Sequence, residues 1–522
     1  MTTKQMTSQR QAFRKTALAV AVMIVAGTAT LQQAEAASCT WNPATGNWGS
    51  AGNWSCAIVP TGPANDNATI AAGKTVTVNT GQSIFGLTNA GNINIDAFTF
   101  TLQGGGSTTN TGTINVGGVS TAALQMSHNI NNTGGTINVG NGSVLNQFSG
   151  TVTAGTINTS GSGKVAVFNS GNSFFSNVTL NGNLDLGTAT GQLRVNNGFA
   201  LTGTASIDNG SLINLEGTQA IGGSGSFVFG ATGNNRLGVD GGSVTATLGA
   251  NTTVRGHTGT IGVGQLVNGS GNTLVNQGLI SADSGGTINI AGAAFTNQSF
   301  AGAAGAGSVL RLDSNVNNAG GTLRATGGGV VLQSAAAVTG GSITTTTGGS
   351  YRFTNSGNNF LSGATVTAGS IVDMASALSL GRITGGLTLN GVVNVNSASR
   401  INFEGDQTLS GNGSIVFGSS ASNIVGVDGG NKTLTIASTA TIRGENGIIG
   451  LGQLVNGSGN ALINNGLISA DVAGGVITLA GLTSGITNNG TIQALNGGIL
   501  QLQSNLTGSA SGQLVEIGRA HV

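Results

Sequence analysis

The chain repeats itself at two periods. Thr-Ile-Asn stands at Thr113–Asn115, Thr136–Asn138 and Thr156–Asn158, and the related Val178–Leu180 follows, a short period of about 20–23 residues. Over a longer period of 186–188 residues whole phrases return. QLVNGSGN occurs at Gln265–Asn272 and Gln453–Asn460, and GLISAD at Gly278–Asp283 and Gly466–Asp471. A fixed short period means stacked, similar units. Such a chain folds into a solenoid in which each unit buries its apolar face against its neighbours, so a long rod is expected rather than a globular enzyme.

The units read as strands. Thr75–Val78 and Ile93–Ile95 alternate apolar with polar or small residues, the pattern of a half-buried strand. Gly and Asn punctuate them, as at Asn181-Gly182 and Asn209-Gly210, and both tolerate the positive φ of sharp corners. A coil of about 22 residues gives three short strands and three turns, and some twenty coils in parallel register at ~4.8 Å make a rod on the order of 100 Å long. Ile, Val and Leu are expected to stack inside, with Thr and Asn on outer faces or corners and Asn able to form ladders. Only 3 Pro occur among 522 residues, as a fold needing every strand N–H requires. The reading is all-β, a parallel β-helix.

The phrases divide the chain. Long copies are expected at about 110–295 and 296–485, with a partial third at 486–515 and the repeat region as a whole at 81–515. NNTGGT (Asn131–Thr136) answers NNAGGT (Asn317–Thr322), and GVDGG recurs at Gly238–Gly242 and Gly426–Gly430. The last seven residues, 516–522, break the pattern, resemble a translated sequencing adapter, and are expected to be a non-native tail on a C-terminally truncated fragment.

Residues 1–36 read as a signal peptide. Lys4 to Lys15 is basic, Ala17–Ala26 is apolar but too short to span a bilayer, and Ala34-Glu35-Ala36 is a small-residue cleavage site. Cys39 and Cys56, the only cysteines, then lie in an exported chain and are expected to form a disulfide worth about 3 kcal/mol in the chain-entropy model. All three tryptophans, Trp41, Trp48 and Trp54, fall between them. Residues 37–80 are expected to cap the otherwise sticky end of the solenoid, with the aromatic rings supplying buried area. A Trp-lined sugar platform is the competing reading.

Charged residues are 6 %, far below the roughly 25 % usual in soluble domains, and no basic run follows the leader, which argues against nucleic acid. Four charged positions occur in both long copies: Glu216 and Glu404, Asp240 and Asp428, Arg255 and Arg443, Asp283 and Asp471. They are expected on different coils or faces, as corner or surface charges inherited by duplication. The competing reading is the clustered Asp and Arg of a β-helix that cleaves acidic polysaccharides, often with calcium. His128 and His257 are isolated from any partner at triad or metal-ligand spacing. No catalytic, cofactor-binding or metal-binding residue is assigned from the sequence.

The opening WNPATGNWGSAGNW and VPTGPANDNATI, together with the NNxGGTI, GGLTLNG and NGLISAD coils, resembles the passenger region of Gram-negative autotransporter and filamentous-haemagglutinin-like adhesins. The resemblance covers nearly all of the chain after the leader. It implies a right-handed β-helix displayed at, or released from, the cell surface for adhesion or biofilm formation, binding host or environmental glycans or proteins and able to self-associate. Such a passenger meets the outer membrane only through a C-terminal translocator barrel, which this sequence does not contain, and no two-partner secretion domain follows the leader. A purely structural surface-layer or matrix protein is the third expectation.

Overall fold

The computed structural model describes residues 36–516, except 118–121, 189, 268, 375, 377, 453 and 456. The expected leader and non-native tail lie almost wholly outside the described residues. The rest is a β-solenoid of about 20 turns, all-β apart from one 3-10 turn at Ala51–Asn53.

One turn in the middle of the chain shows the plan. Leu212–Glu216 lies on a first ladder, Gln219–Gly222 on a second and Ser226–Phe229 on a third; Arg236–Asp240 then returns to the first, paired in parallel with Leu212–Glu216. Each ladder runs as a continuous parallel stack from turn to turn. At ~4.8 Å per turn the rod is about 100 Å long.

Alternation along each strand decides what faces inward. On the second ladder Ile93, Ile114, Ile137, Ile157 and Leu180 sit in register on successive turns and are fully buried. Fully burying such a side chain contributes about 1.5–3 kcal/mol, and the column repeats that gain at every turn. β-Branched residues suit the stack because their χ1 is already restricted.

Asparagine forms ladders on an outer face and at a corner, as expected, but the corner ladder is buried. One set does form an outward ladder, with Asn115 donating to Asn94 (2.9 Å), Asn138 to Asn115 (2.9 Å), Asn158 to Asn138 (2.8 Å) and Asn181 to Asn158 (2.9 Å). A second set lies inside. Asn89 donates to Asn110 and Asn110 to Asn132, each at 2.7 Å, and all three are buried at a corner. A buried amide is tolerated only when its hydrogen bonds are made, and stacking identical amides one turn apart makes them. The NNxGGT phrase encodes this corner. A Cβ on Gly135 would come 2.3 Å from the Asn110 carbonyl oxygen, and one on Gly321 would meet Asn297 at the same distance.

The buried asparagine corner occurs three times: Asn89–Asn110–Asn132, Asn276–Asn297–Asn318, and Asn464–Asn488. It follows the first ladder, then the second, then the third. The reason is the length of the long repeat in turns. From Arg236–Asp240, eight successive turns along the first ladder lead to Ser414–Phe417. The counterpart of Arg236–Asp240 in the second copy is the strand after that, Ile424–Asp428, which lies on the second ladder. The repeat is therefore eight and one third turns, about 40 Å of rod, and each copy is shifted by one side of the solenoid relative to the copy before it.

Candidate functional site

At the N-terminal end Ser38–Thr40 and Thr45–Asn47 add the last strands to the first and second ladders. The chain then folds back over the open core, held by the Cys39–Cys56 disulfide, whose Cα atoms are 5.1 Å apart. Trp41, Trp48 and Trp54 are at most 2 % exposed. Trp54 meets the other two edge-to-face at 5.0 and 4.8 Å and donates its indole N–H to the Trp48 carbonyl, while Trp48 lies on Phe100. No ring face is left for a sugar, so the platform reading is set aside. Asp66, not singled out from the sequence, is buried and accepts from the backbone N–H of Ala37 (2.8 Å) and Thr61 (2.9 Å), tying both ends of the cap together.

The duplicated phrases GVDGG and QLVNGSGN lie one turn apart in sequence and meet at one corner. The loop over 264–272 leaves the rod between Gly259–Val263 and Thr273–Asn276. Buried Asp240 on the turn beneath accepts from the backbone N–H of Leu266 (2.9 Å) and Val267 (2.7 Å). Asn272 closes the loop by donating to the Val239 carbonyl (3.0 Å). The glycines are spatial requirements, since a Cβ on Gly269 would lie 2.3 Å from the Gly242 nitrogen. The second copy repeats the arrangement. Asp428 holds the N–H groups of Leu454 (2.7 Å) and Val455 (2.9 Å), and Asn460 donates to the Val427 carbonyl (2.9 Å). Burial pushes the Asp428 carboxyl up, but the N–H groups of Val455 and Leu454 outweigh it and hold the group below its ordinary value of 3.8. Each loop is thus pinned to the turn beneath it through its described residues. Leu454 and Val455 are exposed in the second copy, and Leu454 shares a recess of about 160 Å³ with Leu378, Leu380 and Arg400.

The duplicated charges lie on different coils, as expected, but stacking of successive turns brings them into contact. Arg194 forms a bidentate pair with Glu216 (2.5 and 2.8 Å) and lies over the Phe174 ring at 4.3 Å. Glu216 is in register with Asp240, and Asn214 bridges the two. Arg382, Glu404, Phe360, Asn402 and Asp428 repeat this stack. Arg255 pairs with Asp283 (3.0 Å) and Arg443 with Asp471 (2.9 Å). Separations of 22–28 residues are one turn, so parallel stacking brings the partners together. Within each copy the Glu–Asp stack and the Arg–Asp pair lie on different ladders, and each of these arginines is matched by a carboxylate.

His128 is buried, with Nδ1 2.7 Å from the Gln103 carbonyl and Nε2 2.8 Å from the Thr108 hydroxyl. The carbonyl requires Nδ1 to carry the proton, so Nε2 accepts from Thr108. Burial lowers its pKa from 6.5, partly opposed by the Gln103 contact. His257 touches the Thr258 hydroxyl at 2.7 Å. Among the described residues no three His, Cys, Asp or Glu side chains are grouped so that they could hold a metal ion.

No protein-family model matches the chain, and no curated protein matches it.

Proposed function

We propose that this chain is an exported, non-enzymatic rod of the adhesin type, carried through the inner membrane of a Gram-negative bacterium and presented at, or released from, the cell surface. The observation that carries the reading is the twice-built projection at 264–272 and 452–460. In each copy a buried carboxylate, a buried asparagine and a set of close-packed glycines hold an exposed loop on a stiff scaffold. Loops fixed in this way lose little conformational entropy on contact, so they suit recognition. Repetition along a rod converts weak single contacts into avidity. The resemblance of the coils to autotransporter passengers supports export and surface display.

The test is binding of the purified chain to immobilised glycans and extracellular-matrix proteins. Leu266→Asp and Leu454→Asp are expected to weaken attachment without changing the β-sheet circular dichroism. Full binding by the double variant would exclude the loops. A second reading, a polysaccharide-binding or lyase-type β-helix, draws on an open groove of about 750 Å³ lined by Asp406, Gln407, Thr408, Thr433 and Thr435. Release of unsaturated oligosaccharides from an acidic polysaccharide, lost in Asp406→Ala, would favour it.

A further inference from the structure

The Thr-Ile-Asn phrase that opens the repeat has a consequence separate from the loops. On the second ladder it places two outward columns in register. The rows are Thr45 with Asn47, Thr75 with Thr77, Asn92 with Asn94, Thr113 with Asn115, Thr136 with Asn138, Thr156 with Asn158, and Thr179 with Asn181. None of these outward residues is charged or aromatic. The rows repeat every ~4.8 Å, and the columns stand two residues apart along the strand, about 6.7 Å.

Two observations separate this face from ordinary solvated sheet. Its asparagine column is locked by the amide ladder from Asn94 to Asn181. Its threonine column is held by no such ladder. The hydroxyls of Thr113, Thr136, Thr156 and Thr179 make no hydrogen bond to any described residue, yet the same side chain recurs in register on four consecutive turns. The equivalent strands of the second copy keep a hydroxyl column, Thr322, Ser342 and Thr365 in register, but not the amide ladder beside it, since Arg324 stands where Asn138 does. The pairing of the two columns, hydroxyl beside locked amide, is therefore particular to the first copy.

The occupant can be argued from area and chemistry. The face measures roughly 400 Å², about half of what one partner contributes to a standard protein–protein interface. It also lacks the aromatic, Met and Arg anchors that carry such interfaces. A charge-free face matches a neutral partner, and the absence of aromatic rings removes the stacking platform a sugar chain would use. What remains is a rigid, flat grid of paired hydroxyl, methyl and amide groups. Threonine contributes a stiff χ1 and the ladder fixes the amides, so ordering costs are met before contact. Oxygen rows on the faces of ice repeat at close to the spacing between β-strands. We propose that this Thr/Asn face binds the ordered water lattice of ice.

The test is partition into growing ice of the purified chain mixed with serum albumin, with thermal hysteresis measured alongside. The chain is expected to be enriched in the ice fraction over albumin. Thr136→Tyr, a protrusion from the middle of the grid, is expected to return it to the albumin level. Asn146→Tyr, outward on the third ladder at the same height, should leave enrichment unchanged. Circular dichroism melting establishes that each variant is folded, and Thr156→Lys serves if Thr136→Tyr is not. Failure of the wild-type chain to enrich, or full enrichment of a folded Thr136→Tyr or Thr156→Lys variant, would overturn the proposal. So would depletion onto crystalline cellulose or chitin without ice enrichment, which would assign the grid to a polysaccharide lattice. The result is independent of the loop-binding assay, which reads a different part of the rod.

Discussion

Replacing Ile280 with Asp tests the solenoid interior directly. Ile280 is fully buried on the third ladder, in register between Val254 on one turn and Ala301 on the next. Its neighbour Leu279 points the other way, beside the exposed Phe300. Removing the isoleucine side chain from a packed core costs about 2–5 kcal/mol. The carboxylate that replaces it must be neutralised or exposed, which adds several kcal/mol more because its neighbours in the column, Val254 and Ala301, are apolar. The sum exceeds about 5 kcal/mol, within the range of a whole domain's stability. A solenoid distributes such damage locally, because each turn contacts only its neighbours. Hydrogen exchange read by mass spectrometry on the full chain should therefore show lost protection around 253–304 and retained protection at 67–116. Leu279→Asp, on the outer side, should cost about 1 kcal/mol or less. Equal damage from both changes, or unchanged exchange in Ile280→Asp, would refute an interior built from alternate residues.

Three further outcomes follow from the polar interior. Asn110→Ala removes the middle of a buried ladder, orphans groups on Asn89 and Asn132, and should destabilise by about 2–4 kcal/mol, whereas Asn138→Ala on the outward ladder should cost less than about 1 kcal/mol because water replaces the amide; denaturant melts compare them. Asp428→Ala should speed exchange over 451–460 and leave 263–272 unchanged, and in the wild-type chain the same release should begin only as pH falls below 3.8, because the folded carboxyl is held below that value. His128 is neutral when folded and takes up its proton more readily when unfolded, so its contribution is complete above pH 6.5 and is lost as pH falls towards its lowered folded value; the melting temperature should drop over that window, and His128→Gln should flatten the slope.

Much of this architecture was legible in the residues. The alternation in Thr75–Val78 and the register of the Thr-Ile-Asn phrases are local signals, and parallel stacking reproduces them turn by turn. What stayed hidden depends on counting in turns rather than in residues. Glu216 and Asp240 look distant in a linear reading but are adjacent once a coil is known to close between them. The spacing of GVDGG and QLVNGSGN, one coil, held the signal for the pinned loop. Asparagine was expected on outer faces or corners and able to form ladders; that the corner ladder of Asn89, Asn110 and Asn132 is buried requires knowing that three amides superimpose. Asp66 gave no signal, since its partners are two backbone groups far apart in the chain.

The third of a turn left over in the long repeat governs how such a rod can sit among its neighbours. Twin projections some 40 Å apart look out in different directions, and only a fourth copy, about 120 Å along the axis, would look the same way as the first. A planar layer of receptors can therefore seat one loop while its twin stays free to seize something else. Tandem copies of this kind would behave less like a strip of adhesive than like a spiral stair with a landing on each wall, predisposed to knit separate objects into a mesh.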